Sequence, residues 1–95
     1  MYAYLLVPVN GENALVLIDS GSEMSMAPAS YVRPADLKGS TQLLRAAYGT
    51  EIRVLGESGL RCKMDDVTFL VPCLVMEQLS EIIFGLEFLE RHDAN

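Results

Sequence analysis

The sequence predicts a mostly β fold, a small barrel or closed sandwich, and three observations carry that expectation. Short runs of β-branched, aliphatic and aromatic residues recur along the 95 residues, with turn signals between them. Asn10-Gly11, Gly49 and Asp65-Asp66 fall where successive hairpins would close. Only the last stretch, Leu86 to His92, spaces its apolar residues as a helix does. Strands that do not alternate with helices argue against an α/β layer fold.

Taken in order, Tyr2 to Val9 is rich in aromatic and aliphatic residues and reads as a strand. Asn10-Gly11 then suits a type I′ turn, whose two central residues both need positive φ. Leu15 to Ile18 is the returning strand, ending at Asp19. Ser20 to Pro34 mixes Ser, Pro, Ala and Gly and reads as loop, with a short strand expected near Ala29 to Val32. Thr41 to Ala47 and Ile52 to Leu55 flank Tyr48-Gly49-Thr50-Glu51, which predicts a second hairpin with Gly49 near its tip. Leu60 to Met64 and Val67 to Met76 give two further strands joined at Asp65-Asp66, and Pro72 favours an edge or a bulge in the second. Glu81-Ile82-Ile83-Phe84 is a short buried strand that runs into Gly85 and the helix.

One domain spanning residues 1–95 is the only reasonable division, near the low end of independently stable sizes. Half the residues are hydrophobic, so disorder is excluded by composition, and that much apolar content in so small a unit is also consistent with burial of part of it against a partner. The net charge of −6 argues against nucleic acid and anionic membranes, both of which want a basic face. No apolar stretch approaches the roughly 20 residues of a membrane span, and no leader pattern opens the chain. The two cysteines, Cys62 and Cys73, are therefore expected as reduced packing thiols in a cytoplasmic setting.

The chemistry concentrates at Asp19-Ser20-Gly21, a carboxylate delivered by the apolar run Ala14-Leu15-Val16-Leu17-Ile18 into a Ser-Gly turn. By itself such a triplet is a weak signal, since an Asp can open a turn simply by capping nearby amides. A Ser-His-Asp alternative, using Ser20 or Ser22 with His92 and Asp93, fails because adjacent His and Asp side chains diverge. No His, Cys or carboxylate cluster has metal-ligand spacing, and no glycine loop suggests a phosphate site.

Leu17-Ile18-Asp19-Ser20-Gly21-Ser22 resembles the hydrophobic-hydrophobic-Asp-Ser/Thr-Gly-Ala signature of retropepsins, the dimeric aspartic proteases of retroviruses and LTR retrotransposons. Ile82-Ile83-Phe84-Gly85-Leu86-Glu87-Phe88-Leu89 resembles their second signature, an apolar strand, a glycine and then a helix. Ala47 to Gly56 is similar to the flap hairpin of Ty3/Gypsy-type members. These three segments come in the family's order and together span residues 17–89.

The resemblance implies a small closed retropepsin-like barrel with a flap hairpin and one short C-terminal helix. It implies a homodimeric aspartic endopeptidase acting on a polypeptide, such as a retroelement polyprotein, without a cofactor. Asp19, Ser20 and Gly21 would form the catalytic turn. Ser22, Glu23, Tyr48, Gly49, Thr50 and Ile83 would contact substrate. The other implied readings are a non-catalytic module that dimerises or binds peptides, and the protease domain of a ubiquitin-linked shuttle protein. Three departures from the family pattern stand out. Ser22 replaces the usual alanine, and Leu86 replaces the Arg that viral members place after the second-signature glycine, which leaves Glu23 to another partner or to solvent. Viral members also interleave terminal strands in the dimer, whereas this sequence starts almost at its first hairpin strand and stops shortly after the helix. Association is thus expected through another surface or through residues outside this sequence.

Overall fold

The computed structural model describes residues 2–39, 42–45, 49 and 51–93. It contains the strands β1 (Tyr2–Val9), β2 (Glu12–Asp19), β3 (Met26–Pro28), β4 (Gln42–Arg45), β5 (Glu51–Met64), β6 (Val67–Met76) and β7 (Ile82–Phe84), followed by helix α1 (Leu86–Asp93). The strands form one sheet in the order β1-β2-β7-β3-β6-β5-β4, and a β1–β5 pairing at Val9 and Cys62 closes it. A sheet closed on itself hides its edges and encloses one core, the mostly β barrel that the sequence predicts.

The turn chemistry explains the hairpins. Asn10 and Gly11 both take positive φ, +52° and +88°, as the type I′ turn between β1 and β2 requires. Asp65 and Asp66 do the same between β5 and β6, at +51° and +62°. Within each strand, alternation sorts side chains in from out. Val7 and Val9 of β1 and Ala14 and Val16 of β2 are buried, while Leu6 and Leu15, cross-strand partners, stay exposed on the opposite face. Phe84, Leu60, Ile82, Val9, Val16, Val75 and Cys62 are the largest fully buried side chains. Phe88 of α1 seals the barrel, its ring centroid 4.5 Å from that of Phe84.

Two expected elements are corrected. The strand expected near Ala29 to Val32 lies earlier, at Met26–Pro28, and Ala29–Tyr31 is a 3-10 turn closed by Val32 N–H on the Ala29 carbonyl at 3.1 Å. The β-favouring Tyr31 and Val32 lose to pairing, because Leu74 to Met76 of β6 and Ile83 of β7 lie opposite residues 26–28. The segments Ile52 to Leu55 and Leu60 to Met64, expected as separate strands, are parts of β5. Gly56 and Gly59 do not break that strand. A register shift between Val54 and Gly56 bends it, and a Cβ on Gly56 would sit 2.7 Å from the Lys38 carbonyl oxygen. That close approach lets Lys38 and Glu57 exchange two backbone hydrogen bonds, of 2.9 and 2.8 Å.

Pro72 sits on an edge, as expected. Only residues 74–76 of β6 pair with β3, so on the side away from β5 the stretch before them is unpaired among the described strands. Leu74 donates its N–H away from β5, to Ser25. By alternation, the missing N–H of Pro72 falls on that same outer side and costs the ladder nothing.

Candidate active site

β2 ends at Asp19, half-buried, and the chain then turns tightly. The Gly21 N–H donates to Asp19 Oδ1 at 2.9 Å, and the Ser22 N–H donates to the Asp19 carbonyl at 3.1 Å. A Cβ on Gly21 would lie 3.2 Å from Asp19 Oδ1, so a side chain there would push the carboxylate aside by a few tenths of an ångström. The Ser22 hydroxyl, in place of the family's alanine, donates to the Met24 carbonyl at 2.8 Å. The carboxylate is thus oriented by its own turn.

The turn is in turn bonded to the β7–α1 junction. β7 runs parallel to β2, with Leu17 opposite Ile83 and Ile18 opposite Phe84, so Gly85 arrives beside the Asp19 turn. Gly85 N–H donates to the buried Ser25 hydroxyl at 3.1 Å, Leu86 N–H to the Ser22 carbonyl at 2.6 Å, and Glu87 N–H to the Glu23 carbonyl at 3.3 Å. The first amides of a helix have no acceptor within it, so α1 uses those donors to hold the loop. At Gly85 a Cβ would come within 2.6 Å of the carbonyl oxygens of both Ser22 and Met24. Only glycine fits.

The structure brings the sequence-predicted residues Asp19, Ser20, Gly21, Ser22, Glu23 and Ile83 into one neighbourhood at the ends of β2 and β7. Glu23 is exposed, and neither ion pair among the described residues (Arg33–Asp36 and Arg53–Glu77) involves it. Gly49, with φ +80°, is exposed between β4 and β5, which pair as the expected hairpin. Tyr48 and Thr50 lie outside the described residues. Ser25 was not singled out by the sequence, and its hydroxyl carries no motif. The positions of Tyr4 and Glu81, whose side chains hydrogen-bond at 3.2 Å, follow only from strand register. Among the described residues no three His, Cys, Asp or Glu side chains are grouped to hold a metal ion. No helix there is long and apolar enough to cross a membrane.

The backbone matches solved retroviral proteases over almost its whole length. EIAV protease in complex with an inhibitor superposes with a TM-score of 0.71 at 16% identity, covering 100% of this chain and 91% of that one. The retroviral protease-like domain of Ddi1 from Leishmania major gives 0.76 at 18% identity, covering 95% and 76%. The protease of simian foamy virus (mac) gives 0.66 at 15% identity, covering 98% of each. This chain has the retropepsin-like fold. No family model and no curated protein matches the sequence.

Proposed function

We propose that this chain is one subunit of a homodimeric aspartic endopeptidase that cleaves an extended polypeptide, such as a retroelement polyprotein. The presentation of Asp19 carries the reading: a half-buried carboxylate, oriented by the Gly21 amide, in a loop bonded to the Gly85–Glu87 junction. The chain has one Asp-Ser-Gly triplet, so the second carboxylate is that of a second copy.

Two like charges meeting at a two-fold axis repel, so the two carboxylates hold one proton between them. The ionised member removes a proton from the water held between them as its oxygen attacks the scissile carbonyl carbon. The protonated member donates to the carbonyl oxygen, which becomes a hydroxyl of the tetrahedral intermediate. Collapse breaks the C–N bond, the amide nitrogen takes up a proton, and a carboxyl and an amine leave. Ser20 braces the turn through a bond to the partner's backbone. Gly21 admits the substrate backbone, with Ser22, Glu23 and Ile83 beside it. Gly49, exposed between β4 and β5, stands at the tip of a flap hairpin that closes over the peptide and excludes water.

The test is cleavage of a peptide library at mildly acidic pH by wild type and by Asp19→Asn, with sedimentation of both. The expected outcome is a dimer whose cleavage disappears in Asp19→Asn while the melting curve is retained. Cleavage surviving that change, or a strict monomer at high concentration, would overturn the proposal.

A further inference from the structure

Antiparallel register places Tyr4 of β1 opposite Leu17 of β2, and parallel register places Ile83 of β7 opposite the same Leu17. These three residues form one row across three strands. They share the sheet face of Asp19, because side chains two apart on a strand point the same way. The opposite face carries Val7, Val16, Ile82 and Phe84 into the core. The row therefore lies outside the core, on the face of the Asp19 carboxylate, with Leu17 and Ile83 half-buried and Tyr4 48% exposed. Leu17 is two residues from the carboxylate, about 7 Å along the strand, roughly the distance from the reacting carbonyl to a neighbouring substrate side chain.

This apolar row ends in a charge. The Tyr4 hydroxyl donates to Glu81 Oε1 at 3.2 Å, across a sequence separation of 77 residues. Neither ion pair among the described residues involves Glu81. An aliphatic floor with a carboxylate at its rim suits a side chain that is apolar along its stem and cationic at its tip. We propose that Glu81, positioned by Tyr4, makes this protein prefer a lysine or arginine beside the scissile bond. The stem would lie over Leu17 and Ile83, and the charged end would meet Glu81. In a two-fold dimer each copy offers the same wall, so the preference applies on both sides of the cleaved bond. Glu23, exposed just beyond the catalytic turn, adds to the negative field.

The inference rests on the peptidase reading, and the experiment separates their failures. Matched peptides carrying Lys, Leu or Glu next to the scissile bond are offered to the full chain, and kcat/KM ratios are compared for wild type, Glu81→Gln and Tyr4→Phe. The expected Lys-to-Leu ratio in wild type is about fivefold or more, as a charge-assisted contact at a partly exposed site allows, with the Glu peptide poorest. Glu81→Gln brings the ratio to about one, and Tyr4→Phe, which keeps the ring, lowers it part of the way. A wild-type ratio of one or less, or a ratio unchanged in Glu81→Gln, overturns the selector while leaving the peptidase intact. If wild type cuts none of the peptides, the peptidase reading fails. Calorimetric binding of the same peptides then decides the selector alone, with tighter Lys binding lost in Glu81→Gln supporting it and equal binding overturning it. Should Glu81→Gln not fold, Tyr4→Phe supplies the same comparison.

Discussion

Ser25 is the one buried polar side chain among the described residues, and it joins three elements. Its hydroxyl accepts the Gly85 N–H and its carbonyl accepts the Leu74 N–H at 3.0 Å, so it ties the loop after Asp19 to β6 and to the start of α1. Ser25→Ala would leave the Gly85 amide buried without that acceptor. The expected cost is about 1–3 kcal/mol, measured by urea unfolding, together with a fall in peptide cleavage as the loop loosens. Gly85→Ala should be harsher, because the two carbonyls that a Cβ would strike are backbone and cannot rotate aside. A Gly85→Ala protein with wild-type melting temperature and cleavage would contradict the geometry described for this junction.

At the scale of elements, the β1–β2 hairpin is more than a turn. Asn10 Nδ2 donates to the Tyr31 carbonyl at 3.0 Å, Asn10 Oδ1 accepts from Arg61 N–H at 3.2 Å, and Asn10 N–H donates to the Arg61 carbonyl at 2.8 Å. The tip thereby anchors β1 to β5, where the barrel closes. Asn10→Gly keeps the positive φ and loses both side-chain bonds, whereas Asn10→Ala loses the bonds and also carries the strain of φ +52°. Thermal unfolding should rank wild type above Asn10→Gly above Asn10→Ala, with about 1–2 kcal/mol separating the two variants. The hairpin was legible in the sequence because Asn-Gly acts locally. The strand at Met26–Pro28 was not, since nothing near it indicates that Leu74 to Met76 and Ile83 will supply partners. The unbroken β5 was hidden likewise, because a glycine at a bulge and a glycine at a break look alike until the Lys38 backbone is seen beside Gly56.

For the molecule as a whole, the core holds two free thiols, Cys62 and Cys73. Burial pushes Cys62 up to about 11, and burial, reinforced by the neighbouring Cys62 and Glu87, pushes Cys73 up to about 12, both from an ordinary 9.0. Between those limits the unfolded chain ionises its thiols while the folded chain keeps them neutral. The unfolded state then binds fewer protons, so stability is complete below pH 9 and is lost as pH rises through the folded values. Urea unfolding of wild type should show a loss of about 3 kcal/mol by pH 10 that a Cys62→Ala/Cys73→Ala variant, less stable at neutral pH, lacks. Parallel pH profiles for the two proteins would refute this.

The mostly β class, both tight hairpins, the terminal helix and the Asp19 turn are all legible in local stretches of sequence. Each depends on residues within a few positions of one another: positive φ at Asn10-Gly11 and Asp65-Asp66, helical spacing after Gly85, and a Ser-Gly turn after an apolar strand. Tertiary structure alone decided how the Asp19 turn is held and what stands beside it. Gly85 meets Ser25 across 60 residues, and Tyr4 meets Glu81 across 77. Barrel closure and the parallel β2–β7 register bring those pairs together. Register is a property of two strands at once, and no local stretch of chain carries it.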